Sequence, residues 1–450
     1  MTAMTVDLSP ISDKKSTQSG GFRPRLRHIV GFVAAMATLF AGSLALGAYN
    51  GAADAAGNDG VLFGAFAQTR GNQNQITAYQ ALENQLGTKL PLLREFAGWD
   101  SNLDNRTNNW VVDGDRTLMV SIKPERRDGS EIRWRTIANA QPGSRVHNEM
   151  VELARDISKL DGTVWVAFHH EPEAKDRQHF GDSDDYIAAW RKIHNVFAQQ
   201  GADVEWVWTM TSWSFEVNSN DRRSAPKWYP GDNFVDYLGA DPYNWNQCRN
   251  SREGYQTLER IVTPFLEFAD RHPTKELVLP EFATAGSASE KAGWIDDARS
   301  FLKQPEIASR FAAVIYFHDT QPETPNCRWW LDTDNQTLNA ARRIAQDPFF
   351  HRNDGTVNAA TQGVAVAAQQ PATQPQAQPQ NLCTVRSTSN GDLIEWSDPG
   401  SKFGYNVRRN GRWVANTSDN RLVNNNVHNG EYTVIARSKG VRTDISCSRV

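Results

Sequence analysis

Two glutamates carry the chemistry this sequence could do. One lies in the run Val164-Trp165-Val166-Ala167-Phe168-His169-His170-Glu171-Pro172-Glu173, and the other follows Leu277-Val278-Leu279-Pro280 as Glu281. Each run begins as a short apolar stretch, the pattern of a buried strand, and ends in a carboxylate. In an eight-stranded β/α barrel such strand tips line the active-site mouth. Two carboxylates facing each other across that mouth could cleave a glycosidic bond. One would protonate the leaving oxygen, and the other would attack the anomeric carbon or activate water. Glu171 and Glu173 alternate to the same side of a regular strand, so spacing alone leaves both open as the proton donor. His169, His170 and His179 raise the question of a metal site, but neighbouring strand residues point to opposite faces, which argues against joint ligation.

Such carboxylates need a scaffold, and the chain supplies a regular alternation of strand and helix patterns. The expected strands are Val61 to Gln68, Pro91 to Trp99, Thr117 to Pro124, Val164 to His170, Val204 to Thr209, Val235 to Asp241, Leu277 to Pro280 and Phe311 to Phe317. Between them, helical patterns cover Gln75 to Leu86, Val146 to Leu160, Asp184 to Gln199, Tyr255 to Arg271, Trp294 to Lys303 and Thr337 to Gln346. Met150, Leu153, Ala154, Ile157 and Leu160 form one apolar stripe on the second helix. Eight strands alternating with helices predict a (β/α)8 TIM barrel over residues 58–352. A doubly wound open sheet would want a Gly-rich turn after its first strand, and that turn is missing.

On that scaffold the residues resemble glycoside hydrolase family 26, a set of retaining β-glycanases dominated by β-mannanases. The likeness rests on His170-Glu171, on Glu281, on the stretch Tyr229-Pro-Gly-Asp-Asn-Phe-Val-Asp236-Tyr-Leu-Gly-Ala-Asp241-Pro-Tyr243-Asn, on Val120-Ser-Ile-Lys-Pro124 and on Trp329-Trp-Leu-Asp332. It covers roughly Val61 to Phe350. The resemblance implies Glu171 as general acid/base and Glu281 as nucleophile, with Tyr243 hydrogen-bonded near the nucleophile. It also implies that His170 binds the sugar at the cleavage point and that Trp329 stacks under it. Where the family commonly has Arg-Pro ahead of His-Glu, this chain has Ala167-Phe168-His169, which bears on mannan specificity. Trp99, Trp213 and Trp329, following strands two, five and eight, and Lys123 at the end of strand three are further candidates to line the cleft. Glu171 is expected to hold the higher pKa because Glu281 is a nearby like charge. The mechanism calls for no metal or organic cofactor.

The rest of the chain sets the context. A formal net charge of -4 makes no electrostatic case for nucleic acid. The 15 Trp exceed ordinary usage and suit either core packing or stacking on sugar rings. Residues 1–57 read as a basic segment followed by an uncharged apolar run, Ile29 to Ala48, which is either an export signal cut near Ala53-Asp-Ala55 or a membrane anchor. Either places the bulk of the protein outside the cytoplasm, where disulfides persist. Of the three pairings that four cysteines allow, Cys248–Cys327 with Cys383–Cys447 keeps each bridge within one expected domain. Residues 353–381 read as an Ala/Gln/Pro-rich linker. Residues 382–450 read as a small β-sandwich resembling fibronectin type III, with Asn410-Gly411 and Asn429-Gly430 as turns. The whole reads as an exported, monomeric endo-β-glycanase acting on a polysaccharide such as β-mannan, with β-glucan, β-xylan or an exopolysaccharide as other substrates. A non-catalytic polysaccharide-binding envelope protein is the competing reading.

Overall fold

The computed structural model describes residues 60–249, 252–320, 326–351 and, with short gaps, 383–450. The expected N-terminal segment, the linker and both Asn-Gly turns lie outside, or partly outside, those residues. Among the described residues, no helix is long and apolar enough to cross a membrane.

Eight parallel strands form the first body: β1 (Leu62–Ala67), β2 (Leu92–Ala97), β3 (Thr117–Ile122), β4 (Val164–Phe168), β5 (Glu205–Thr211), β6 (Tyr237–Asp241), β7 (Glu276–Thr284) and β8 (Phe311–His318). They pair in the order β6-β5-β4-β3-β2-β1-β8-β7, and a β6–β7 ladder closes the ring. Helices α1 (Gln75–Leu86), α2 (Arg106–Val112), α3 (Trp134–Ala138), α4 (Arg145–Ile157), α5 (Ser183–Gln200), α6 (Leu258–Ala269), α7 (Ala288–Leu302), α8 (Pro305–Ala308) and α9 (Asn335–Ala345) fill the connections. The short α2, α3 and α8 have too few turns to show a helical period in sequence. Helix ends follow local chemistry. Asn74 caps α1 in a capping box with Thr77, and Gly87 closes it at φ 74. Thr257 caps α6, which is why that helix begins at Leu258 rather than at Tyr255.

The strand interior is filled by a layer to which every strand contributes: Leu62, Leu92, Met119, Trp165, Val207, Tyr237, Val278 and Ile315. Side chains alternate along a strand, so the next inward position lies two residues later, nearer the mouth. On β2 that position is Arg94, followed by Phe96. Two strands break the rule. β4 ends at Phe168, because His169 and Glu171 both adopt left-handed backbone, at φ 41 and φ 53. β7 runs past Glu281 to Thr284, so this carboxylate is inside the strand and not at its tip as the sequence suggested. Its pairing with β8 slips register between Leu279 and Phe282, around Pro280, which has no N–H to give the ladder. The slip lets Glu281 face the mouth.

The second body is a sandwich. One sheet orders its strands as Arg421–Asn425, Gly391–Trp396, Cys383–Thr388 and Ser448–Arg449; the other as Arg412–Thr417, Tyr405–Arg409, Tyr432–Ser438 and Val441–Ser446. Its core contains Val385, Ile394, Trp396, Tyr405, Val407, Val434 and Ile445. Both expected disulfides are present, Cys248–Cys327 and Cys383–Cys447. On strand Tyr405–Arg409, Tyr405 and Val407 face the sandwich core. The alternate residues Asn406 and Arg408 are also buried, and Arg408 reaches Asp203 at 2.7 Å, just before β5 at the N-terminal end of the barrel.

Candidate active site

Glu171, Asp241 and Glu281 converge at the C-terminal mouth of the barrel, with one oxygen of each within 4.8 Å of the others. The turn after β4 sorts the neighbouring side chains. With His169 left-handed, its ring swings outward and is buried, accepting a hydrogen bond from Trp134 Nε1 at 2.9 Å. His170 takes the inward place instead, with Nε2 3.6 Å from Glu281 Oε1. Glu171 follows into the mouth with its backbone N–H donated to the Thr209 carbonyl at 2.9 Å. Glu173 is buried and accepts from the Thr211 N–H at 2.8 Å and from the Thr211 hydroxyl. The structure therefore separates the two carboxylates: Glu171 joins the site, and Glu173 braces the β4 turn against β5.

Glu281 is buried and held on three sides. Arg94 Nη1 lies 3.0 Å from Oε1, the Tyr243 hydroxyl donates to Oε2 at 2.5 Å, and the Glu281 N–H donates to Asp241 Oδ1 at 2.8 Å. Arg94 is completely enclosed, and it also donates to the Pro280 carbonyl at 2.6 Å and to Ser121 Oγ at 3.0 Å. This places a fixed positive charge beside the carboxylate that lies deepest. Tyr243 sits on a two-residue strand, Tyr243–Asn244, that pairs with the far end of β7, which fixes the hydroxyl opposite Glu281.

Burial raises the proton affinity of Glu171 and Asp241. Burial is the main cause that pushes Glu171 up to about 8; the charges of Glu281 and Glu173 add to it, while Arg177 and Arg94 oppose it. Desolvation, rather than the like charge of Glu281 expected from sequence, is the leading cause. Burial, then Glu281, also pushes Asp241 well above the usual carboxylate range, and its Oδ2 is buried without a hydrogen-bond partner. Burial together with Arg177 and Arg94 holds His170 well below its ordinary value, so it is a neutral imidazole at pH 7. The three carboxylates are close enough to suit a cation on distance alone. However, Arg94, Tyr243 and a backbone N–H already occupy Glu281 and Asp241, and the guanidinium supplies the compensating charge.

Residues 139–275 match Glycosyl hydrolase family 26. The matched stretch lies within the barrel and takes in β4, β5 and β6. Endoglucanase H of Acetivibrio thermocellus is 24% identical over 297 residues, covering 63% of this chain. The matched part spans only 30% of that relative's length. Among solved structures, a Bacillus subtilis mannanase shares 13% identity at a TM-score of 0.44, covering 69% of this chain and 91% of that one. A β-mannanase from a symbiotic protist of the termite Reticulitermes speratus shares 12% identity at a TM-score of 0.43, covering 64% and 87%.

Within the barrel, the expected site residues fall into two groups. Glu171, Glu281, His170 and Tyr243 come together. Trp99 and Trp329 do not present a ring to the cleft, because both are fully buried. Trp329 packs against Tyr243 and Trp245, with centroids at 5.0 and 5.2 Å, and so backs the tyrosine from behind. Trp213 is half-buried in the turn after β5, with the Arg223 guanidinium 5.0 Å over its ring. Lys123 is exposed and pairs with Glu125 at 2.9 Å. The residues missed by sequence reasoning are Arg94, Asp241 and Arg177. Arg177 donates to the carbonyls of His170 and Glu171, which holds the left-handed turn in place. Arg94 did leave a signal: a charge in the inward register Leu92-x-Arg94-x-Phe96 has no place in an apolar barrel core unless it serves a site.

Proposed function

We propose that this protein is a retaining endo-β-glycanase that hydrolyses a β-1,4-linked polysaccharide by double displacement. The observation that carries the reading is the pair of carboxylates whose oxygens approach within 4.8 Å, since retaining enzymes hold theirs about 5–5.5 Å apart and inverting ones farther. The raised pKa of Glu171 supports its role as the proton donor. Glu171 is protonated at neutral pH and donates to the leaving glycosidic oxygen. Glu281, oriented by Arg94 and Tyr243, attacks the anomeric carbon as the carbon–oxygen bond to the leaving sugar breaks. The product is a glycosyl ester on Glu281. Glu171, now ionised, takes a proton from water as the water oxygen attacks the same carbon. The ester bond breaks, and both carboxyl groups return to their starting states. His170, neutral and beside Glu281, is placed to hydrogen-bond the sugar at the cleavage point.

The substrate reading is β-mannan, from the resemblance of the His-Glu and strand-six segments. β-Glucan is the second reading, supported by the relative named endoglucanase. The basic and apolar run at the N-terminus and the two disulfides support export. The test is product analysis on β-mannan, β-glucan and β-xylan, with anomeric configuration followed by NMR. Release of reducing ends that disappears in Glu281→Ala and in Glu171→Ala is expected. Persistence of hydrolysis in both variants, or an inverted first product, would overturn the proposal.

A further inference from the structure

Phe96 stands at the mouth with 38% of its surface open, an unusual state for a phenylalanine on a barrel strand. It is held there by its surroundings. Phe66 and Phe317 flank it at 4.9 and 6.5 Å, both edge-to-face, and the Arg94 guanidinium lies 4.7 Å from its ring. The His170 ring is 5.5 Å away, so Phe96 borders the cleavage point itself. An aromatic face fixed in this way is suited to the apolar face of a pyranose.

On its other side, Phe96 lines a cavity of about 280 Å³ shared with Glu95, Asn102, Asn105 and Arg127. Glu95 points away from the barrel interior because it alternates with Arg94 and Phe96. Tyr79 donates to its Oε1 at 2.8 Å. Asn102 and Arg127 are exposed at the rim. A carboxyl group, an amide and a guanidinium around a space of this size match the demands of a hydroxyl-rich ring, which needs several donors and acceptors at once.

We infer that Phe96 and the adjoining cavity form a sugar-binding subsite, taking a pyranose unit of the same polysaccharide beyond the one being cleaved. This rests on the glycanase reading above and extends it to the β2 side of the mouth. The test uses β-1,4-linked oligosaccharides of increasing length with the full chain. Phe96→Ala removes the platform, and Asn102→Trp fills the cavity from its rim without touching the carboxylates. Both are expected to lower kcat/KM about five- to ten-fold on the longer oligosaccharides and much less on the shortest that is cleaved, a loss typical of one aromatic contact. Glu95→Gln should raise KM on the same long substrates with little change in kcat. An equal loss at every length would mean that His170 had merely been disturbed, and unchanged kinetics in all three folded variants would mean that the cavity binds no sugar; either overturns the inference. If the wild-type protein cleaves no glycan, the glycanase reading fails separately. Calorimetry with the same oligosaccharides then decides the subsite: binding weakened by Asn102→Trp supports it, and binding that is absent or indifferent to the change rejects it.

Discussion

Two buried arginines, at opposite ends of the barrel, do different work. Arg94 at the mouth is wholly enclosed and meets Glu281, whose side chain is 6% exposed. Arg408, from the sandwich, is nearly as buried at 8%, but its partner Asp203 is 43% exposed at the other end. The distances are similar, 3.0 and 2.7 Å. The surroundings differ, and they decide the energy. A pair with one member in water is screened and contributes little. A fully desolvated pair stabilises little as a pair, yet removing one partner leaves a stranded charge. The first arrangement suits an attachment between domains. The second suits a site where a carboxylate must stay fixed.

Breaking the mouth should have the largest effect. Glu281→Ala is expected to lower kcat by about 10⁴-fold or more, read as reducing-end release, while folding is kept. Arg94→Met tests the comparison directly. It strands Glu281 and should destabilise the protein by about 3–5 kcal/mol in denaturant unfolding, besides lowering kcat. Loss of activity at unchanged stability would show that the pair is less desolvated than its burial indicates. Tyr243→Phe removes one hydrogen bond to a charged oxygen and should cost about 10- to 100-fold in kcat with KM little changed. The pH profile sharpens the mouth further. Glu171 must be protonated to act, so kcat/KM should fall as pH rises through about 8, and this limb should be absent in Glu171→Gln on a substrate with an activated leaving group. The smallest effect belongs to the other arginine. Arg408→Ala should cost at most about 1 kcal/mol and leave kcat/KM on soluble oligosaccharides as it was. A large loss of activity there would mean that the sandwich shapes the catalytic barrel.

Much of this was legible in the chain. The eight barrel strands, both disulfides, and the meeting of Glu171, Glu281, His170 and Tyr243 all follow from apolar runs, cysteine placement and motif context. What escaped has a common cause, because period-two alternation describes only regular backbone. His169 and Glu171 are left-handed, so an alternation argument could not tell Glu171 from Glu173. The slip around Pro280 likewise hid the fact that β7 continues beyond Glu281. Residue type also misled for tryptophan. A ring after a strand can cover sugar or fill core, and Trp99 and Trp329 fill core. Arg94 left no mark at a strand end, because it reaches Glu281 from within a strand.

The bridge between Cys248 and Cys327 encloses a sequence separation of 79 residues, and that span holds α6, β7 and β8. Glu281 thus sits on a covalent ring closed through sulfur. A protease that cut the chain once anywhere inside the ring would release no fragment, and Glu281 would stay tethered to the body that carries Glu171 and Arg94. A nicked molecule would keep its parts together until a second cut or a reductant arrived.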